Sequence, residues 1–262
     1  MGNAKVTWAV FTKPWKMPLP ELGKFVSDLG FGGIELPARP GYQVEPGNVA
    51  RDLPKAVKVL GDFGVQITSV TGPEDEAAIA AYGEAGIPIL RVMVGNHPDG
   101  YQATLDNTRR HYDEMLPLLT KHGVKLGVQN HVGGYICNAT GLYNMVHGYD
   151  PRHVGAVLCL GHCALQGEGI KSALDIVWPN LAMIFMKNAF WYRLTHPEAK
   201  VAQWGVHWTT GRHGLSHWPT VAKELNERNF EGCINLNAEY SDEARVNEFI
   251  AEDIVFVKSL FA

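Results

Sequence analysis

The sequence predicts a single (β/α)8 barrel. Eight short apolar segments, rich in β-branched residues, alternate with helix-like segments along the 262 residues. These segments lack a clean alternation of polar and apolar residues, as expected of parallel strands that are covered on both faces. Eight strand–helix pairs fit a barrel of about 250 residues, and no linker or low-complexity segment divides the chain. We therefore expect one domain, residues 1–262.

The predicted strands follow one another at regular intervals. In chain order they are VTWAVFT (6–12), GGIELP (32–37), VQITSVT (65–71), ILRVMVG (89–95), KLGVQNH (125–131), VGAVLCLG (154–161), LAMIFMKN (181–188) and CINLNAEY (233–240). A doubly wound sheet is the main alternative, but it usually has fewer repeats and often has a glycine-rich phosphate loop after the first strand. The corresponding segment here, VFTKPWKMP, contains no glycine.

Helix-like segments lie between these strands. PLPELGKFVSDLG and NVARDLPKAVKVLGDFG both end in glycine, a common helix stop. The last segment, SDEARVNEFIAEDIVFVKSLF, has one apolar stripe made of Val246, Ile250, Ile254, Val257 and Phe261. Pro54 and Pro117 fall inside predicted helices, and we expect them to kink or shorten those helices.

Composition and charge exclude several classes of function. The chain is 46% hydrophobic and 19% charged, with a formal net charge of −4. No basic stripe is present to neutralise a phosphate backbone, so we expect no nucleic-acid partner. Apolar runs such as LAMIFM (181–186) are too short to cross a bilayer, so we expect no membrane partner. The four cysteines are too few for a disulfide scaffold.

The N-terminal segment MGNAKVTWAV gives an expectation about location. It has no apolar core of the kind a secretory signal needs. Val6 stands where a myristoylation signal requires Ser or Thr. The expected location is the cytoplasm.

Polar side chains mark the carboxyl ends of the predicted strands, where the active site of such a barrel lies. They are Glu35, Thr68, Thr71, Gln129, His131, Cys159, His162, Lys187, Asn188, Asn237 and Glu239. Strand ends meet water and carry polar residues for that reason alone, but a ring of them on six strands indicates a site. Because side chains alternate along a strand, Asn237 and Glu239 share a face. If Asn237 points into the barrel, Glu239, which is nearer the carboxyl end of the strand, should line the rim.

Several of these segments resemble the xylose isomerase-like superfamily of sugar isomerases and epimerases. LGFGGIEL (29–36) resembles that family's second strand and retains its acid as Glu35, while LGVQNHVGG, VGAVLCLGHC, IFMKNA and GCINLNAEY resemble strands five to eight in order. The resemblance implies a small carbohydrate or polyol as substrate or ligand. It also implies a divalent cation bound by a Glu, an Asp, a His and a Glu, at the positions that correspond here to Gln129, Cys159, Phe185 and Asn237.

All four positions differ from the ligands that the resemblance implies. The family's set supplies three carboxylates, whereas these residues supply no charge if Cys159 is a neutral thiol, since free cysteine has a pKa of about 8.5. A dication facing three carboxylates gains on the order of 10 kcal/mol at an effective dielectric of about 20. We therefore expect no metal of the family's kind and no other cofactor. A zinc-like set of Cys159, His162 and Cys163 with His131 is the open alternative, although its spacing is not a standard zinc pattern.

Two hypotheses about function remain. In the first, the protein is a metal-free isomerase or epimerase. Glu35 or Glu239 is the base, and His131 or His162 is the acid. Lys187 stabilises the enolate or forms a Schiff base. A salt bridge from Lys187 to one of these glutamates is the simpler interpretation. In the second, a pseudoenzyme or partner subunit binds sugars without catalysis. An endonuclease role ranks below both, given the acidic balance of the chain and the missing metal ligands.

Substrate contacts are expected from a further set of residues. The segment WGVHWTTGRHGLSHW (204–218) holds three Trp and three His in fifteen residues, and indole faces stack well on sugar rings. An aromatic loop that caps the barrel, or that is buried in a homo-oligomer interface, is an equal alternative. The predicted substrate-binding residues are Gln129, Cys159, His162, Asn237, His207 and Trp218.

Overall fold

The computed structural model describes residues 6–262 and confirms the predicted barrel. The strands in this range are β1 (Val6–Phe11), β2 (Gly33–Pro37), β3 (Gln66–Thr71), β4 (Ile89–Met93), β5 (Lys125–Gln129), β6 (Val154–Cys159), β7 (Leu181–Met186), β8 (Asn188–Arg193), β9 (Trp204–Thr209) and β10 (Gly232–Asn237). Strands β1 to β7 pair in parallel with their neighbours, and β10 joins β7 to β1 to close the barrel. Residues 1–5 lie outside the described residues. They form the first part of the N-terminal segment MGNAKVTWAV, on which the expected location rests.

Helices connect the strands and cover the outside of the barrel. Within the described range they are α1 (Leu19–Asp28), α2 (Val49–Gly61), α3 (Glu76–Glu84), α4 (Tyr101–His122), α5 (Ala139–Val146), α6 (Leu160–Leu165), α7 (Ile170–Val177), α8 (Trp218–Glu227) and α9 (Val246–Ser259). Between residues 6 and 262, no helix is both long enough and apolar enough to cross a membrane.

Pro54 and Pro117 do not end their helices. Pro54 lies inside α2 and Pro117 inside α4, and both helices continue past them. The predicted shortening is therefore wrong. Buried apolar residues on both sides of each proline, such as Leu53 and Ala56 in α2, hold the helix against the barrel and offset the lost backbone hydrogen bond.

The core has two parts. The larger part fills the space between the strands and the helices, and Ile250, Ile254 and Val257 from the predicted stripe of α9 are buried in it. The smaller part lies inside the barrel and consists of Phe11, Ile89, Val157, Cys159, Met183 and Phe185. This apolar layer fills part of the lumen, so that polar chemistry is concentrated nearer the carboxyl ends of the strands.

An antiparallel hairpin of β8 and β9 was not predicted. The strand predicted for 181–188 ends at Met186, and the chain enters β8 at Asn188, which pairs with β9 over six residues. The Asn188 amide fixes this arrangement, because Nδ2 donates to the carbonyls of Gly211 and Ser216, each at 2.9 Å. A Cβ at Gly214 would lie 2.0 Å from the Asn188 oxygen, so the close approach requires glycine.

Asp253 on α9 ties this helix to the loop after β9. One carboxyl oxygen accepts a hydrogen bond from the backbone N–H of Gly211, and the other accepts one from the Tyr240 hydroxyl, both at 2.8 Å. Burial raises the pKa of Asp253 to about 7, and the two hydrogen bonds offset this effect only in part. The charged form of Asp253 is therefore unfavourable in the folded protein.

We expect Asp253→Asn to remove a pH-dependent component of stability. The folded-state pKa of about 7 lies above the ordinary value of 3.8, so the contribution of this carboxyl is fully present below about pH 4 and is lost as the pH rises through 7. Urea unfolding at several pH values should show the free energy of unfolding of the wild type, relative to the variant, falling by up to about 4 kcal/mol from pH 4 to 8. The exposed Asp99→Asn is the control, and a difference independent of pH would contradict this account.

Candidate active site at the barrel mouth

A cavity of about 600 Å³ opens at the carboxyl ends of the barrel strands. We call it the mouth pocket, and its polar and aromatic lining consists of Lys13, Tyr42, His131, Lys187, Trp208, Glu239, Tyr240 and Glu243. Its volume is in the range that holds a small-molecule ligand. Three of the four predicted catalytic residues, His131, Lys187 and Glu239, lie together here.

Glu239 is bound between two lysines. The Lys187 ammonium lies 2.5 Å from one carboxylate oxygen, and Lys13 pairs with the other. Burial alone would raise the pKa of Glu239, but the two ammonium groups outweigh it and hold that pKa below the ordinary range. The salt bridge proposed as the simpler interpretation of Lys187 is therefore present. These three groups carry one net positive charge, which the Glu243 carboxylate in the same lining balances.

Lys187 is held from two further sides. Its ammonium lies 3.7 Å from the centroid of the Trp208 ring, within cation–π range, and the side chain is only 4% exposed. Helix α6 packs directly against its backbone, since a Cβ at Gly161 would lie 2.4 Å from the Lys187 carbonyl oxygen. The ammonium is therefore fixed in position, as a group that stabilises charge needs to be.

The rings of His131 and His162 lie against each other, with centroids 4.1 Å apart and planes inclined at 44°. The His131 Nδ1 lies 2.8 Å from the Val132 carbonyl oxygen, which can only accept, so Nδ1 carries the hydrogen and Nε2 is left as a base. The Val132 N–H points at His162 Nδ1 from 3.4 Å, which makes that nitrogen the acceptor. Burial lowers the pKa of both rings, and Lys187 adds to the effect. His131 is therefore neutral near pH 7 and borders the pocket, with the fully buried His162 behind it.

Glu35, the fourth predicted catalytic residue, does not line the mouth pocket. It is fully buried and pairs with Arg91 on β4, whose Nη2 lies 2.6 Å from Oε1 and whose Nε donates to both oxygens. Ser69 donates a further hydrogen bond to the carboxylate at 2.8 Å. The rings of Phe11 and Phe185 lie on the guanidinium at 5.0 and 5.3 Å. This ion pair occupies the interior of the barrel.

The four positions at which the sequence resemblance implied cation ligands have other contacts. The Gln129 oxygen accepts from Arg91 Nη1 at 2.6 Å, and the Asn237 amide nitrogen is 3.5 Å from Glu239. Cys159 lies in the interior apolar layer, where burial raises the pKa of its thiol, and Phe185 packs beside it. Across residues 6–262, no three His, Cys, Asp or Glu side chains are grouped so as to hold a metal ion, and the zinc-like alternative is not supported.

None of the six predicted substrate-binding residues is in the lining of the mouth pocket. Trp218 and His207 are the two that remain to be placed. Trp218 is only 1% exposed and stacks on Phe256 of α9, so the structure corrects its assignment from ligand contact to core packing. His207 stacks on Phe190 across the hairpin at 4.9 Å. Because side chains alternate along β9, it is the neighbouring Trp208 that lines the pocket.

Sequence reasoning missed Arg91, Lys13, Tyr42 and Trp208 as members of this region. Arg91 gave a usable signal, because a lone charge in the apolar strand ILRVM must find a buried partner. Lys13 and Tyr42 lie in irregular segments after β1 and β2. No periodic pattern in the sequence indicates where such residues lie in space.

Comparison with known proteins identifies the class of this protein. A family model described as xylose isomerase-like TIM barrel matches residues 24–260. The chain therefore belongs to the xylose isomerase-like TIM barrel family, whose sugar isomerases and epimerases the sequence resembles.

Solved structures share the fold at low sequence identity. D-psicose 3-epimerase with D-tagatose, from Clostridium cellulolyticum H10, has a TM-score of 0.72 at 11% identity, covering 97% of this chain and 99% of that one. The E. coli 3-keto-D-glucoside 4-epimerase has a TM-score of 0.72 at 11% identity, covering 97% and 100%. A xylose isomerase domain protein from Planctomyces limnophilus has a TM-score of 0.72 at 15% identity, covering 98% and 96%. At these identities the comparison shows the fold alone. Comparison with curated protein sequences finds no match.

We expect Glu35→Gln to destabilise the protein by about 3–5 kcal/mol, because it leaves the Arg91 guanidinium buried without a counter-charge. Asp28→Asn, which breaks an exposed pair with Lys24, is the matched control and should cost less than about 1 kcal/mol. Urea unfolding at pH 7 measures both. Equal effects of the two substitutions would show that the buried pair contributes no more than the surface one.

Proposed function

We propose that this protein is a metal-free isomerase or epimerase of a small carbohydrate. The reaction moves a proton on a carbon next to a carbonyl group. The observation that carries the proposal is the convergence of His131, Lys187 and Glu239 on one pocket of about 600 Å³. The fold relatives described as sugar epimerases support a sugar as the substrate class.

His131 is the base in this reaction. Its Nε2 takes the proton from the substrate carbon, the electron pair of the C–H bond becomes a new C=C bond, and the π pair of the C=O bond moves onto the carbonyl oxygen to form an enediolate. The fixed Lys187 ammonium stabilises the negative charge that develops on this oxygen. Return of the proton to the adjacent carbon, with transfer of the hydroxyl proton between the two enediolate oxygens, completes an isomerisation. An epimerisation requires a proton on the other face of the same carbon, which a water molecule supplies, and the hydroxide left behind is neutralised by the proton that His131 took.

We assign Glu239 and Trp208 to binding. The Glu239 carboxylate, held ionised by two lysines, orients Lys187 and accepts hydrogen bonds from sugar hydroxyls. Trp208 lines the pocket with an aromatic surface of the kind that packs on sugar rings. Glu35 stays outside the chemistry, because its carboxylate is already bound by Arg91 and Ser69.

The family's cation site is, on this proposal, lost. The donors at the four corresponding positions do not fit a divalent ion: the Gln129 oxygen already accepts from Arg91, Cys159 is a buried thiol with a raised pKa, and Phe185 has no donor atom. Hard divalent ions require several oxygen ligands, most of them charged. Stabilisation of the enediolate therefore rests on Lys187.

A catalytically inactive sugar-binding homologue is the second candidate. One observation favours it: both predicted carboxylate bases are engaged, Glu239 by two lysines and Glu35 by Arg91. Of the four predicted catalytic residues, His131 is then the one left to act as base. The same lining residues would still bind a sugar.

Deuterium exchange separates the two candidates. Incubation of the protein with a panel of ketoses and aldoses in D₂O should place deuterium on the carbon next to the carbonyl, at a rate unaffected by a chelator. Lys187→Met should slow this exchange by about 10²–10³-fold, since it removes the charge opposite the enediolate. His131→Asn should slow it by about 10²–10⁴-fold.

Lys24→Met, on the exposed surface of α1, is the matched control and should leave the exchange rate unchanged. Absence of exchange across the panel, together with a thermal shift caused by some of the same sugars, would establish the binding homologue instead. Neither exchange nor a thermal shift with any sugar would exclude both candidates.

A further inference from the structure

The Arg91 guanidinium is a permanent cation in the interior of the barrel. Arg91 is 4% exposed and Glu35 is fully buried. The guanidinium binds the carboxylate through Nε and Nη2, and it reaches across to β5 through Nη1. Aromatic rings from β1 and β7 cover it on two sides. Its position is therefore fixed by four strands in addition to its own.

Two of these contacts fall on positions that correspond to the family's cation ligands. Gln129 accepts a hydrogen bond from Nη1 at 2.6 Å, and the ring of Phe185 lies 5.3 Å from the guanidinium carbon. The side chains at these positions are those that suit an organic cation, namely an amide oxygen and an aromatic face. Neither would contribute the charge that a metal ion requires.

The balance of charge between Arg91 and Glu35 explains why residue 129 has an amide side chain. Glu35 already neutralises Arg91 in an environment closed to water. A second carboxylate at position 129 would leave an uncompensated negative charge in the barrel interior, which is costly. Buried ion pairs add little stability compared with apolar residues of the same volume, so stability alone does not account for a guanidinium here.

We infer that the Arg91 guanidinium replaces the divalent cation of this barrel, supplying a fixed positive charge in the interior and excluding a metal ion. The inference rests on the proposed loss of the cation site and is independent of the sugar chemistry at the mouth. A metal ion bound to the Gln129 oxygen would lie beside a group of like charge, which disfavours it.

Manganese titration of matched variants tests this inference. In Gln129→Glu the arginine is kept, and the new carboxylate should pair with it. Electron paramagnetic resonance should then show no stoichiometric binding of Mn²⁺ by this variant, as for the wild type.

The double variant Gln129→Glu/Arg91→Met removes the guanidinium and leaves two carboxylates. It should bind one Mn²⁺ at least about 100-fold more tightly than Gln129→Glu, since the repulsion is gone and two anionic ligands face the ion. Gln129→Glu/Arg110→Met, with the second change on the exposed face of α4, is the matched control and should behave as Gln129→Glu does.

Two outcomes would overturn the inference. They are tight Mn²⁺ binding by the wild type that Gln129→Ala abolishes, and an affinity of the double variant no higher than that of Gln129→Glu. If the double variant is unfolded, millimolar Mn²⁺ must restore its circular dichroism, because metal binding then supplies folding free energy, and failure to do so also overturns the inference. The titration reads only the barrel interior, so a failure of sugar exchange at the mouth is a separate result.

Discussion

The buried pair of Arg91 and Glu35 is the constraint on which the rest of the site depends. A charge enclosed by a barrel must be satisfied within a few ångströms, and here β2, β3, β4 and β5 each contribute a group to that purpose. The pair occupies the interior of the barrel between these strands, beside the apolar layer. Polar chemistry is displaced upward, to the rim where His131, Lys187 and Glu239 meet.

Buried charges on the rim are likewise satisfied by neighbouring groups. Glu239 keeps its negative charge in a mostly buried position because two ammonium groups face it. Lys187 in turn keeps its place through that carboxylate and the Trp208 ring. The barrel interior is thus neutral as a unit, and on the rim the carboxylates of Glu239 and Glu243 balance the ammonium groups of Lys13 and Lys187.

Much of the fold could be predicted from the sequence, and less of the site. The eight barrel strands were predicted because parallel strands covered on both faces leave short β-branched runs, and the resemblance located Glu35 and Gln129. The hairpin was missed because NAFWYR follows strand β7 after a single residue, so that the two strands resemble one continuous apolar segment. The partner of Arg91 lies 56 residues away in the chain, a pairing that no local pattern encodes. Trp218 was misassigned because a tryptophan in an aromatic-rich segment can face either the core or a ligand, and only packing decides between them.

The hairpin has a consequence for how this molecule could diversify. Its two strands stand outside the closed barrel, and alternate side chains of β9 face opposite ways, with Trp208 toward the pocket and His207 against Phe190. A slip of one residue in the pairing of β8 with β9 would reverse that assignment and present an imidazole in place of an indole. Ligand preference can thus evolve by changing an appendage, while the architecture that carries Lys187 and the interior charges is left untouched.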